Sequence, residues 1–308
     1  MELGIALPTA NSPLTSPQNI ARLAEEAENL GYSAVWTYER LLYPTAPVAQ
    51  GGRPPGPLDE VYKVAYDPLE TLSYVAARTR NVRLGTSVID ALFHTPVTLA
   101  RRFATLDQFS NGRVIAGLGQ GWMPQEFATS NIPMSRRGAG FDEFIGAMRA
   151  VWGPNPVQFD GRFYRIPESI LNPKPVQPGG PPILIGALTP AGIRRAARIA
   201  DGLNPIAVSR QVLEGAVNAF RSAAREAGRD VSALSVMVRV NQKMTAEPMP
   251  DDARPFLGGS PEQVAADLAA LEALDIDQVF FRTGFAESLD EQVRLLERLQ
   301  MAVRAVRQ

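Results

Sequence analysis

The side chains that could carry chemistry fall at the ends of short apolar segments. Glu39 follows Ala34–Thr37, Asp90 follows Val82–Val88, and His94 stands immediately before Thr95-Pro96. A carboxylate so placed can hold or move a proton, and a histidine changes charge near neutral pH. The plain alternatives are a solvated carboxylate at a loop start and a structural or surface histidine, which is the commoner fate of a lone loop histidine. Arg239 within Leu234–Val240 and Arg282 after Gln278–Phe281 either point into a pocket or pair with a neighbouring acid. Trp36 and Trp122 are either core or pocket wall.

Two glycine-containing runs complete the candidates. Gly117-Leu118-Gly119-Gln120-Gly121 has the spacing G-x-G-x-G, not the G-x-G-x-x-G of a dinucleotide fingerprint, and no helix opens at once. A strand end passing close to a planar ligand accounts for it better. Gly186-Ala187-Leu188-Thr189-Pro190 leads into a helix, where backbone N–H groups and the helix dipole suit a phosphate; capping by Thr189 alone is the simpler explanation.

Composition removes several other chemistries. The 308 residues carry 31 basic and 32 acidic side chains, a net charge of -1, which excludes a broad electrostatic footprint for nucleic acid or an anionic membrane. With no cysteine and one histidine there is no disulfide framework, thiolate metal site, cysteine nucleophile or multi-histidine metal centre. The N-terminal MELGIALPTA lacks the basic and long apolar regions of a signal peptide, and no apolar run is long enough to span a membrane. A cytoplasmic protein is expected.

The elements that must position these residues are readable from their starts. Ser16-Pro17, Asp67-Pro68, Thr95-Pro96, Thr189-Pro190 and Ser260-Pro261 each pair a capping side chain with a proline at the first helical position. Asp67-x-x-Glu70, Ser260-x-x-Gln263 and Ser288-x-x-Glu291 add the acid or amide of a capping box or its analogue. Helical periodicity continues from such starts, as in Ile20, Leu23, Ala24, Ala27 and Leu30 before Gly31. Strand-like segments lie between: Leu3–Leu7, Ala34–Thr37, Val82–Val88, Val114–Leu118, Pro182–Ile185, Gly202–Ile206, Leu234–Val240 and Gln278–Phe281. Near-continuous apolar runs suit parallel strands buried on both faces, and eight strands alternating with eight helices predict a (β/α)8 barrel in one domain over residues 1–308.

Three segments exceed ordinary connections: 41–66, with Gln50-Gly51-Gly52-Arg53-Pro54-Pro55-Gly56-Pro57; 119–137, with Trp122; and 153–181, around Gly161-Arg162-Phe163-Tyr164. The first two follow strands and so belong to the C-terminal face, where they read as lids. The third starts at the opposite end.

Ala21–Thr37, Val82–Val88, Pro96–Gly121 and Pro182–Gly202 together resemble the bacterial luciferase-like monooxygenase family, in that family's order and spacing. The most specific piece is LD-x-x-S-x-GR-x-x-x-GLG-x-GW, Leu106 to Trp122. The resemblance implies a (β/α)8 barrel with an insertion before its fifth strand and either the deazaflavin coenzyme F420 or FMN. Its F420-dependent branch implies a cis peptide at Ser87-Val88. That branch often carries Asp-His where this chain has Glu39-Arg40, and the glutamate of its sugar-phosphate dehydrogenases is matched here by Trp122. The acid is retained in kind, the histidine is not, and the sugar-phosphate chemistry is not implied.

The expected function is hydride transfer between coenzyme F420 and a small organic substrate by a homodimer. An FMN-dependent monooxygenase using oxygen is the alternative, and a cofactor-free binding protein on the same barrel is the second. On the resemblance, Ser87, Val88 and Asp90 form the wall facing the ring, and Gly119, Gly121 and Gln125 its neighbouring edge. Gly186, Ala187 and Thr189 receive the phosphate. Glu39 is the candidate catalytic group and a cofactor contact, while Trp36, Trp122, Arg239 and Arg282 line the substrate space. No metal is expected.

Overall fold

The computed structural model describes residues 1–49 and 54–307. Its strands are β1 (Glu2–Ala6), β2 (Ala34–Thr37), β3 (Arg83–Thr86), β4 (Ile89–Asp90), β5 (Val114–Gly119), β6 (Val157–Asp160), β7 (Arg165–Ser169), β8 (Ile183–Ile185), β9 (Gly202–Leu203), β10 (Ser235–Val240) and β11 (Gln278–Arg282). Its helices are α1 (Pro17–Asn29), α2 (Pro68–Ala76), α3 (Pro96–Ser110), α4 (Pro124–Thr129), α5 (Ala139–Trp152), α6 (Pro190–Ile199), α7 (Arg210–Glu226), α8 (Pro261–Ala269) and α9 (Leu289–Val306).

Parallel pairing runs β3-β2-β1-β11-β10-β9-β8-β5, and β5 pairs back onto β3, so eight strands close a (β/α)8 barrel. β4 prolongs the third strand past the Ser87-Val88 peptide, which is cis, and pairs with β5 at Ile89↔Leu118 and Asp90↔Gly119.

The five proline-marked starts are helix N-termini. Ser16, Thr95, Thr189 and Ser260 accept from the amides of Asn19, Thr98, Gly192 and Gln263, and Asp67 from that of Leu69. Only Ser260 and Gln263 form the reciprocal box. Glu70 instead pairs with Arg102, and Glu291 accepts from the Glu287 amide, because a long carboxylate takes whichever donor faces it. Gly31, at φ 82°, turns the chain after α1.

The insertions differ from plain loops. Residues 119–137 contain α4, so the second strand-to-helix connection on the mouth carries a helix of its own. Segment 153–181 holds the antiparallel hairpin β6–β7, whose tip amides at Arg162, Phe163 and Tyr164 bond the Glu143 carboxylate on α5. The hairpin tip thus climbs α5 toward the mouth. Of the proline-glycine run, Gln50–Arg53 lies outside the described residues.

The barrel interior is a compact apolar floor of Ala6, Ala34, Trp36, Ile115, Leu184, Met237 and Phe280. Trp36 therefore does not line the substrate space. It is fully buried, stacks on Phe280 with centroids 4.4 Å apart, and donates from Nε1 to Gln278 Oε1 at 2.8 Å. Gly85 makes room for it, since a β-carbon there would sit 2.3 Å from the indole. Burial of so large a ring dominates the inner core.

Candidate functional site

At the C-terminal ends of the strands the third one, bent at Ser87-Val88, presents Val88 between two glycines. A β-carbon on Gly119 would lie 2.7 Å from Val88 Cγ2, and one on Gly186 2.9 Å from Val88 Cγ1. Contacts within the protein already account for the rest of the glycine run: Gly117 is pressed against the Thr86 carbonyl, and Gly121, at φ 73°, against Phe93 and Phe127.

The acids near this wall hold it in place. Glu39 Oε2 accepts from the Asp90 amide at 2.9 Å, and its Oε1 lies 2.8 Å from His94 Nε2. Both oxygens of the candidate catalytic carboxylate are therefore engaged. His94 meets Glu39 across 55 residues of sequence, a partnership its position before α3 did not reveal. Asp90 is buried and accepts from the Gly121 amide at 3.0 Å. Burial, and then the Glu39 charge, push its carboxyl up to about 7.

Arg40, which stands where the family's histidine does, and Glu126, which was not a candidate in the sequence, link segments 41–66 and 119–137. Glu126, fully buried on α4, takes Arg40 Nη1 at 2.6 Å and the Leu41 amide at 2.9 Å. Burial still raises the Glu126 carboxyl, because desolvation outweighs the opposing pull of Arg40. The guanidinium lies between two rings, 5.1 Å from the Tyr62 centroid and 5.4 Å from that of Trp122. Trp122 is accordingly a half-buried lid residue over the small cluster of Val48, Leu58 and Met123. Gln125, in the first turn of α4, buries an Oε1 with no partner.

Ser87 donates to Asn204 Oδ1 at 2.6 Å, and Asn204 in turn donates to the Met237 carbonyl at 2.6 Å. Arg239 donates to the Ser87 carbonyl and, at 2.8 Å, to Asn241 Oδ1, with its guanidinium 5.3 Å from the Tyr38 centroid. Neither acceptor is an acid, so the alternative of an ion pair does not account for Arg239. Arg282 lies 4.5 Å from the Phe285 centroid. Tyr38 was missed, although strand alternation from Trp36 places it inward.

The Gly186 amide donates to the Leu118 carbonyl at 3.0 Å within the barrel ladder, so it is not free for a phosphate. Thr189 caps α6 through the Gly192 amide. The amides of Ala187, Leu188, Thr189 and Ala191 donate to no described residue and form an open run at a helix N-terminus.

Among the described residues no group of three or more His, Asp or Glu side chains is arranged to hold a metal ion, and no helix is long and apolar enough to cross a membrane.

Comparison with known proteins agrees with this architecture. The family model described as luciferase-like monooxygenase matches residues 1–248. An uncharacterized protein of Mycobacterium tuberculosis is 33% identical over 284 residues, 88% of this chain and 95% of that one. The F420-dependent glucose-6-phosphate dehydrogenase of Nakamurella multipartita is 29% identical over 299 residues, covering 92% and 84%. The crystal structure of monooxygenase RslO1 from Streptomyces bottropensis matches with a TM-score of 0.81 and 25% identity over 100% of both chains.

Proposed function

This chain belongs to the luciferase-like monooxygenase family and is an oxidoreductase, and we propose that it transfers a hydride between the deazaflavin coenzyme F420 and a small organic substrate. The observation that carries this reading is the run of open amides at Ala187, Leu188, Thr189 and Ala191, which begins one residue from the Val88 wall. A helix N-terminus with unpaired N–H groups suits a phosphate, and the adjoining apolar wall suits a ring system.

When bound, the coenzyme supplies the hydride chemistry itself; the protein supplies position and electrostatics. Val88 offers its methyl groups as a backing surface, and Gly119 and Gly186 let neighbouring backbone close against it. Glu39 pins that wall through the Asp90 amide and holds His94, which makes it a positioning residue in this reading. His94 keeps a ring nitrogen on the Glu39 carboxylate, 2.8 Å away, at the edge of the site. The lids, joined by Arg40 and Glu126, exclude water above.

FMN with oxygen is the second reading. It is favoured by the overall match to a monooxygenase and fits the same phosphate and wall. Equilibrium titration of the purified protein with F420 and with FMN, followed by cofactor fluorescence, separates the two. We expect F420 to bind at least about tenfold more tightly, a difference of about 1.4 kcal/mol. Tighter FMN binding would transfer the assignment to the monooxygenase, and binding of neither would leave a cofactor-free barrel.

A further inference from the structure

The layer directly above the apolar floor of the barrel is cationic and unpaired. Tyr38 follows Ala34 and Trp36 inward, Arg239 follows Met237, and Arg282 follows Phe280, by the alternation of side chains along each strand. The Tyr38 hydroxyl is buried and has no hydrogen-bond partner. Arg239 rests on two neutral acceptors, the Ser87 carbonyl and Asn241. The Arg282 side chain donates to no described residue, and no described carboxylate forms an ion pair with either arginine. Arg40, the third guanidinium near Tyr38, is already matched by Glu126.

Two guanidinium groups sharing a half-buried layer repel each other and lose hydration, with no acid to offset either cost. A ligand that brings the negative charge removes both penalties. Arg282 keeps its planar fork free, and that fork fits the two oxygens of a carboxylate. The Tyr38 hydroxyl can donate to the same anion. Beside it, Tyr62 stands edge-on to Tyr38 with centroids 6.0 Å apart, and Phe285 lies under Arg282, so flat apolar surface adjoins the charge. We propose that Tyr38, Arg239 and Arg282 form the anion-reading end of the substrate pocket, and that the substrate is an organic carboxylate with a flat apolar body. The assignment rests on the oxidoreductase reading above and names the substrate class for that site.

Benzoate and its neutral isostere benzamide test it, by calorimetric titration of the full chain with and without saturating cofactor. Benzoate should bind at least about tenfold more tightly than benzamide. Arg282→Gln should reduce that preference to within about threefold while leaving cofactor affinity unchanged. Arg282 makes no bond that the fold needs, and Tyr38→Phe, which removes only the orphan hydroxyl, is a second variant expected to weaken benzoate about threefold. Equal binding of the two probes by the wild-type chain, or an undiminished preference in Arg282→Gln, would overturn the proposal. So would a tenfold loss of cofactor affinity in that variant, which would assign the arginines to the cofactor. Displacement of benzoate by equimolar inorganic phosphate would overturn the carboxylate in favour of a phosphate-bearing substrate. If neither F420 nor FMN binds, the cofactor reading fails, and the benzoate preference alone still decides the anion site.

Discussion

Glu39 and Glu126, after β2 and on α4, have all four carboxylate oxygens engaged, whereas Arg282, at the end of β11, has no described hydrogen-bond partner. The acidic side is finished by the protein itself: Asp90 receives the Gly121 amide, His94 sits on Glu39, and Arg40 closes on Glu126. The cationic side offers an orphan hydroxyl and two guanidiniums without a counter-charge. Groups satisfied internally build a rigid frame, and groups left open are available to a ligand. The difference teaches that charge count alone does not locate a binding site. The side richest in titratable groups is scaffold, and the sparser side is where the proposed substrate is read.

Stability separates the sides most sharply. Removing one member of the buried lid pair, as in Arg40→Met, leaves Glu126 charged without its partner and should cost about 3–5 kcal/mol in denaturant unfolding. Arg282→Met removes a repulsion that no acid offsets and should leave stability unchanged or raise it by up to about 1 kcal/mol. Equal costs would erase the distinction between frame and open site.

A pH series probes the acidic side next. Burial and the Glu39 charge raise Asp90 to about 7, above its ordinary 3.8, so the native state holds this proton more tightly than the unfolded chain does. Its contribution is present below the ordinary value, falls as pH rises toward 7, and is level above that. The slope between is about 1.4 kcal/mol for each pH unit. Asp90→Asn keeps an acceptor for the Gly121 amide and loses the titration, so the variant should gain on the wild type between about pH 4 and pH 7. Parallel stability curves for the two proteins would remove Asp90 from the account.

The smallest expected effect concerns Gly186. Gly186→Asp sets a negative side chain beside the open amides and should weaken cofactor binding at least about tenfold, by repulsion and steric overlap together. The contact with Val88 makes the steric part the larger, and Gly186→Ala should then lower cofactor affinity nearly as much, with about 1–3 kcal/mol of overpacking. An alanine variant that binds cofactor normally while the aspartate variant does not would restore the electrostatic explanation.

Much of the frame was legible before any fold was known. A capping side chain beside a first-turn proline acts within three or four residues, so Ser16, Asp67, Thr95, Thr189 and Ser260 announced their helices locally. Apolar runs buried on both faces announced parallel strands, and their alternation with helices predicted the barrel. What the chain cannot express locally is which distant group completes which site. Arg40 finds Glu126 across 86 residues, and His94 finds Glu39 across 55, only because barrel closure brings the ends of separate strands to one face. The same closure put Trp36 under Phe280, filled the glycine positions with Val88 and Thr86, and claimed the Gly186 amide for the ladder. Sequence set the elements because their signals are short-range; tertiary structure alone decided which polar groups were satisfied and which stayed open, because satisfaction depends on neighbours that sequence distance does not show.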